Sequence, residues 1–89
     1  MKKYYEVGRA TVRPNGEWGD EYTEYMGFDR NQAIEVHQDQ IVLYGDNKKY
    51  EVFGKVYKVA DELDENDLDA ILEYIREEVI GYNPLEDEL

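Results

Sequence analysis

The distribution of apolar and polar residues along the first half of the chain indicates β-strands. Residues 3–13 are rich in β-branched and aromatic types, and they end at Pro14-Asn15-Gly16. The pair Asn-Gly is a strong signal for a tight hairpin turn, because both residues accept the backbone angles that such a turn needs. We therefore predict a strand over residues 3–13 that returns through this turn into a second strand over residues 17–28.

Two further apolar runs lie in the middle of the chain. Residues 40–45 and 48–59 flank the turn residues Gly45-Asp46-Asn47, which predicts a second hairpin. In the later run, Tyr50, Val52 and Val56 lie on one face, and Phe53, Tyr57 and Val59 lie on the other. Apolar residues on both faces predict a strand that is covered on both sides.

Residues 30–38 fit two kinds of element. Asp29 and Gln32 have the spacing of a helix cap, which would begin a short helix here. Ile34 and Val36 also alternate with polar residues, as in a strand. We favour the strand, which brings the predicted sheet to four or five strands.

The hydrophobic period changes near the C-terminus. Five apolar residues recur there with helical spacing and share one face: Leu68, Ile71, Leu72, Ile75 and Val79. Asp64 or Asn66 is a candidate N-cap, and Gly81 stands where a helix commonly ends. The pattern predicts one amphipathic C-terminal helix.

These elements together predict an α+β fold. An antiparallel sheet of four to five strands, arranged as two hairpins, is covered by the C-terminal amphipathic helix packed across it. Residues 1–81 form one domain in this prediction, and residues 82–89 form a frayed acidic tail. A chain of 89 residues has room for only one domain. Cysteine is absent and the longest apolar run has four residues, so we expect a cytoplasmic protein.

The charge of the chain is strongly negative and unevenly distributed. The formal net charge is −12; residues 60–89 carry twelve acids and one arginine, and residues 17–29 carry five acids and no base. Two segments thus contribute −11 and −5, and the remaining residues sum to +4. Nucleic acids and anionic membranes attract positive surfaces, so neither is an expected direct partner. We expect a basic protein as the partner.

The residue types that support most enzyme chemistry are missing. Serine and cysteine are absent and His37 is the only histidine, which excludes most nucleophilic triads. We predict a surface or strand-edge position for His37. The glycines form no phosphate-binding fingerprint, and the acidic segment 61–69 does not fit a calcium-binding loop. A carboxylate pair acting as general acid and base stays open, but the domain has little room for a substrate pocket. We expect no enzymatic activity, no cofactor and no metal site.

The predicted helix carries the first candidate binding surface. Asp69, Glu73 and Glu77 stand at i, i+4 and i+8, opposite the apolar face. Like charges at this spacing destabilise a helix by roughly 0.2–0.5 kcal/mol per pair, and Arg76 is the only cation on the helix. A row of carboxylates maintained at this cost indicates a surface for a basic partner. The alternative is a solvated face that keeps the protein soluble.

The segment after the first predicted turn is the second candidate surface. Aromatic and acidic residues are interspersed there, and five are candidate binding residues: Trp18, Asp20, Glu21, Tyr22 and Tyr25. Tryptophan and tyrosine are frequent binding hot spots, and the acids suit a basic partner. The alternative is that these aromatic rings pack into the core of the sheet. Trp18, two residues from the turn, is the ring that we most expect to be exposed.

Size, negative charge, absence of cysteine and a strand-plus-helix organisation give the chain a resemblance to a class of small phage-encoded proteins. It resembles inhibitors of nucleic-acid enzymes that imitate DNA, such as the uracil-DNA glycosylase inhibitor type, antirestriction proteins and anti-CRISPR proteins. The resemblance implies an inhibitor that occupies the basic groove of a nucleic-acid-binding enzyme. Two alternatives stay open: an immunity protein or antitoxin that neutralises a basic toxin, and a structural or assembly protein that acts as a homodimer.

Overall fold

Three long strands form the centre of the fold, and one helix lies on each side of them. The computed structural model describes residues 2–77 and 83–84. The elements in chain order are β1 (Lys2–Val12), β2 (Trp18–Gly27), α1 (Arg30–Tyr44), β3 (Tyr50–Val59), α2 (Leu68–Glu77) and the two-residue β4 (Asn83–Pro84).

The strands are arranged in the order β2-β1-β3-β4, with all neighbours antiparallel. The predicted hairpin at Pro14-Asn15-Gly16 is confirmed. Gly16 has a φ of 86°, which favours glycine, and its N–H donates to the Arg13 carbonyl at 2.8 Å. Because β2 and β3 both run antiparallel to β1, they are parallel to each other and lie on its two sides. The chain must therefore cross over the sheet between them.

The predicted sheet of four to five strands in two hairpins, with a single C-terminal helix, is wrong. Residues 30–44 form the helix α1, so neither the strand over 30–38 nor the strand over 40–45 exists. Asp29 caps this helix by accepting a hydrogen bond from the Gln32 N–H at 3.1 Å. The physical reason is the connection between the parallel strands β2 and β3, because such strands cannot be joined by a tight turn and usually need a helical crossover.

The two faces of the sheet carry separate cores. Tyr4 and Tyr5 are neighbours in β1, so their side chains point to opposite faces. Tyr5, Val7 and Val56 form a buried cluster with Ala33 of α1. Tyr4 and Val59 form the other cluster with Ile71 of α2. The prediction that β3 is covered on both sides is thus confirmed.

The predicted C-terminal helix is confirmed as α2. Its buried side chain is Ile71, which is 1% exposed. The cap is Asp67, whose Oδ1 accepts from the Ala70 N–H at 3.1 Å, and neither Asp64 nor Asn66 has this role. The predicted positions Val79 and Gly81 lie outside the described residues. Of the predicted tail 82–89, only Asn83–Pro84 is described, and its backbone pairs with β3.

Neither described helix combines the length and the apolar character that crossing a membrane requires.

Candidate interaction surface

The strand β2 forms an edge of the sheet and carries the second predicted site. Six of its ten residues are exposed, all between Trp18 and Glu24, and β1 is its one strand neighbour in the described part of the chain. We name as the β2 surface the exposed residues Glu17, Trp18, Asp20, Glu21, Tyr22 and Glu24. An uncovered edge strand offers backbone and side-chain groups to a partner, and charged side chains restrict which partner can approach.

Trp18 is held in place although its side chain is 37% exposed. Its indole N–H donates to Glu51 Oε2 at 2.6 Å. Its ring packs against Phe53 with the centroids 5.6 Å apart and the planes tilted by 30°. A fixed, partly exposed indole loses little conformational entropy when it binds, which suits an interface anchor.

Tyr22 is 44% exposed and forms one wall of a cage around Arg9. The guanidinium carbon of Arg9 lies 5.1 Å from the centroid of the Tyr22 ring, 4.3 Å from that of Tyr44 and 5.6 Å from that of Tyr50. These rings come from β2, α1 and β3, so the cation joins three elements through the faces of aromatic rings. The exposed Tyr22 is therefore also part of the fold.

The same arginine neutralises one acid of the β2 surface. Arg9 Nη1 lies 2.6 Å from Glu24 Oε1 and also donates to Gln40 Oε1 at 3.3 Å. The hydrogen bond to Glu24 raises the pKa of Arg9 above its ordinary value. Glu24 is thus less available to a partner than the sequence indicates.

Lys55 offsets the charge of Glu21 as Arg9 offsets that of Glu24. Its Nζ lies 3.4 Å from Glu21 Oε1 and 3.9 Å from Glu6 Oε1. It also lies 4.7 Å from the Phe53 ring centroid and 5.7 Å from that of Trp18. Burial raises the pKa of Glu6, an effect that Lys55 opposes and Glu21 reinforces. Arg9 and Lys55 thus offset the charge of two acids of the β2 surface, Glu24 and Glu21.

Tyr25, also a predicted binding residue, packs into the fold. It is half-buried and packs against the cluster under α1. Its hydroxyl oxygen accepts from the Asp29 N–H at 3.1 Å, next to the start of that helix. The alternative interpretation, an aromatic ring packed into the core, fits Tyr25 better than a binding role.

The first predicted site belongs to a longer acidic stretch. Asp69 and Glu73 are exposed on α2, whereas the side chain of Glu77 lies outside the described part of the structure. The loop before α2 adds further exposed acids. We name as the 61–73 acidic surface the residues Asp61, Glu62, Asp64, Glu65, Asp67, Asp69 and Glu73. No lysine or arginine occurs between residues 60 and 75.

The loop before α2 is anchored to the sheet, which fixes where these acids lie. Leu63 packs against the cluster under α2, and its carbonyl accepts from Lys2 Nζ at 2.6 Å. Asp64 forms a turn by accepting from the Asn66 N–H at 2.9 Å. The apolar Leu63 and Ile71 point inward, so the acids around them point to solvent.

The two predicted sites do not form one patch. Trp18 pairs with Val12, eight residues along β1 from Tyr4, which lies under α2. At about 3.3 Å per residue this separation is roughly 26 Å. A single partner that contacts both must cover most of the molecule, whose longest extent is 41 Å.

Sequence reasoning missed Arg9 and Lys55. Arg9 stands between Gly8 and Ala10, and Lys55 stands between Gly54 and Val56; a cation flanked on both sides by small or apolar residues in the middle of a strand is the signal that could have identified each. A charged residue in such a strand is stable only with partners, and the nearest acids along the paired strand are the candidates.

The sequence matches no protein-family model, and no significant match was found among curated proteins or solved structures.

Proposed function

We propose that this protein is an acidic binding protein that occupies the basic nucleic-acid-binding groove of a target protein. The observation that carries the proposal is the 61–73 acidic surface, with seven exposed carboxylates and no basic residue in its stretch of chain. A stretch with seven acids and no base of its own has a net negative charge, which attracts lysine and arginine of a partner.

The spacing of these acids suits a groove built for phosphates. Asp69 and Glu73 are one helical turn apart, which is about 6 Å along the axis of α2. One strand of DNA carries a phosphate about every 3.4 Å. The helix acids thus carry about half the charge density of one DNA strand, and the loop acids from Asp61 to Asp67 add further negative charge next to them.

The β2 surface supplies a weaker second contact in this proposal. Glu21 and Glu24 are already engaged by Lys55 and Arg9, so their attraction for a partner is reduced. Trp18 and Tyr22 offer apolar contact area instead. We expect charge on α2 to determine affinity and the aromatic rings of β2 to add specificity.

The test is an affinity capture from bacterial lysate with elution by a salt gradient, followed by identification of the bound proteins. We expect a nucleic-acid enzyme that elutes at high salt and is displaced by duplex DNA, because both would compete for one basic groove. A captured basic protein that duplex DNA does not displace would instead support an immunity protein or antitoxin. Recovery of no target would contradict the proposal.

A charge reversal then tests which surface binds the captured target. The double variant Asp69→Lys/Glu73→Lys should lower affinity by at least about tenfold, because attraction becomes repulsion at two positions. The matched control is Asp39→Lys/Asp46→Lys, which makes the same change in net charge at exposed positions in and after α1. Equal loss of affinity in both variants would show that overall charge, and not the α2 surface, governs binding.

A further inference from the structure

The single histidine of the chain lies inside the protein. Histidine is the one side-chain type whose ordinary pKa, about 6.5, falls in the middle of the physiological pH range. His37 is 1% exposed and is among the largest fully buried side chains of the described residues. It lies on the buried face of α1 together with Ala33 and Gln40. One proton can therefore change the charge of a fully buried position near neutral pH.

His37 lies between an apolar cluster and a cation. Four residues before it, Ala33 belongs to the cluster under α1. Three residues after it, the Gln40 side-chain oxygen accepts a hydrogen bond from Arg9 Nη1 at 3.3 Å. Residues three and four apart share one face of a helix, so the imidazole ring lies between these two contacts. An apolar environment and a nearby cation both disfavour the charged form of a histidine.

The charged and titratable side chains that face His37 are mostly cationic or neutral. Strand register and the alternation of side chains identify those of the sheet, and helical spacing identifies those of α1. They are Lys3, Tyr5 and Arg9 on β1, Tyr22, Glu24 and Tyr25 on β2, Tyr50 and Lys58 on β3, and Arg30 and Tyr44 on α1. Glu24 is the one acid of this set, and its Oε1 lies 2.6 Å from Arg9 Nη1. The set as a whole opposes a further positive charge.

The helix α1 is held to the sheet by little apolar surface. Ala33 is the one apolar residue among its three buried ones, and Ile34 and Val36 are only partly buried. The apolar residues near its C-terminal end are exposed, and Val42 among them is 84% exposed. Elements with few buried apolar contacts open at a lower cost in free energy than the centre of a fold. A charge on the buried face of α1 thus acts on a weakly held element.

We propose that His37 makes the attachment of α1 to the sheet pH-dependent, so that protonation of its imidazole ring releases α1 at acidic pH. In the attached form the ring is buried and neutral. In the released form the ring is in water and binds a proton with the ordinary affinity of a histidine. Because the released form binds the proton more tightly, acid shifts the equilibrium toward it. Release uncovers the cluster around Tyr5 and Val56, whereas α2 and its acids lie on the other face of the sheet.

The pH interval of the effect follows from the same linkage. Above about pH 7 the ring is neutral in both forms, so its titration does not affect α1. Below about pH 6.5 the released fraction rises by up to tenfold for each pH unit by which burial lowers the titration midpoint of the ring. The acids have the opposite effect, because their protonation reduces the repulsion within a chain of net charge −12. The test must therefore compare proteins that keep every acid.

An NMR titration of the full wild-type chain tests the first step. A single histidine gives a single set of imidazole ring signals, so the midpoint is read without any substitution. We expect a midpoint below about 5.5, at least one pH unit under the ordinary value of a histidine. A midpoint above this value would overturn the proposal.

Hydrogen–deuterium exchange followed by mass spectrometry tests the release itself. Exchange is compared at about pH 7.5 and about pH 5, after correction for the chemical exchange rate of free amides. Peptides of α1 should open at least about fivefold more at the lower pH, relative to peptides of β1 and β3. An equal increase in α1 and in the strands would contradict the proposal, because the whole fold and not α1 would then be opening.

The matched control moves the histidine by one position. His37→Gln/Gln38→His keeps the composition and every acid, and residue 38 is exposed on α1. The ring should then titrate near about 6.5, and the additional opening of α1 at low pH should disappear. A variant that keeps the fivefold increase would overturn the proposal, because the acids would then be its cause. If the variant does not fold, the two wild-type measurements still decide the question. No target protein is used, so the result is independent of the proposed nucleic-acid mimicry.

Discussion

Both helices of this protein pack against the sheet, but they turn opposite kinds of side chain toward it. α2 turns Ile71 toward the sheet and exposes Asp69 and Glu73, as an amphipathic helix does. α1 turns His37 and Gln40 toward the sheet and exposes Val42. Both helices nevertheless close a core, one on each face of the same three strands.

The difference shows that topology and not hydrophobic period fixes the position of α1. The chain must pass over the sheet to join two parallel strands, and the segment that makes the crossing is the one that lies on the face of Tyr5. Ala33 is small and fully buried at that contact, so the helix approaches the strands closely. Gln40 is tolerated inside because its side-chain oxygen accepts a hydrogen bond from Arg9.

The largest expected effect is a loss of stability when the buried apolar side chain of α2 is shortened, and the exposed apolar side chain of α1 provides the comparison. Ile71→Ala should lower the free energy of unfolding by about 2–5 kcal/mol, because it leaves a cavity under α2. Val42→Ala should change it by less than about 0.5 kcal/mol, because Val42 is exposed. Urea denaturation measures both.

A large loss of stability in Val42→Ala under these conditions would contradict the orientation of α1. A negligible effect of Ile71→Ala would mean that α2 contributes little to the core. Either result would remove the contrast between the helices, and the second would also weaken the proposed function, since α2 would not hold its acids in fixed positions.

The parts of the fold that the sequence predicts are those in which local pattern and tertiary position agree. The hairpin at Asn15-Gly16, the strand β3 and the helix α2 all have the period of the element that they form. Residues 41–44 are β-branched, apolar or aromatic and have no helical period, so the prediction of a strand there follows local propensity and is wrong. The helix cap at Asp29 was the correct signal.

The position of His37 was missed for the same reason. With residues 30–38 assigned to a strand, a surface or edge position was predicted, whereas His37 is 1% exposed beneath α1. Once the segment is helical, His37 lies four residues after Ala33 and shares its buried face. An error in one element thus changed the predicted environment of every side chain on it.

The sequence predicts which types of residue form the candidate site, but it does not predict which of the acids are paired with a lysine or an arginine. The exposure of Trp18, Tyr22, Asp69 and Glu73 agrees with their selection as binding residues. The pairing of Glu21 with Lys55 depends on strand register across the sheet, which one sequence does not reveal. Because Glu21 is paired, the proposed function depends more on the acids of α2 than on those of β2.

The Tyr4 hydroxyl, a polar group buried under α2, differs from the Gln40 side chain, which is buried under α1. The Tyr4 hydroxyl is buried without a hydrogen-bond partner among residues 2–77 and 83–84. Burial raises the pKa of Tyr4 to about 12, and Glu6 contributes to the rise. Tyr4→Phe keeps the ring contact with Phe28 and removes the unsatisfied hydroxyl, so we expect a gain of about 1 kcal/mol in the free energy of unfolding.

Thermal and urea denaturation of Tyr4→Phe measure this gain. The control is Tyr22→Phe, in which a 44% exposed tyrosine loses its hydroxyl and stability should hardly change. A destabilised Tyr4→Phe variant would indicate that the hydroxyl has a stabilising partner, as the Gln40 side-chain oxygen has under α1.

The smallest expected effect concerns Glu6, on the α2 face beside Lys55. Its raised pKa means that the folded state holds the proton more tightly than the unfolded state does. Its contribution to stability therefore increases as the pH falls from 7 toward 4.5, the ordinary pKa of a glutamate, and is lost as the pH rises again. In Glu6→Gln this contribution is absent, so the free energy of unfolding should rise less over that interval than in the wild type. Glu21→Gln keeps Glu6 and its burial but removes a smaller cause of the raised pKa, so its pH dependence should lie between those of the wild type and Glu6→Gln. Equal slopes in all three proteins would show that Glu6 is ionised as easily in the fold as in the unfolded chain, and that the α2 face tolerates a buried charge as well as the α1 face tolerates Arg9.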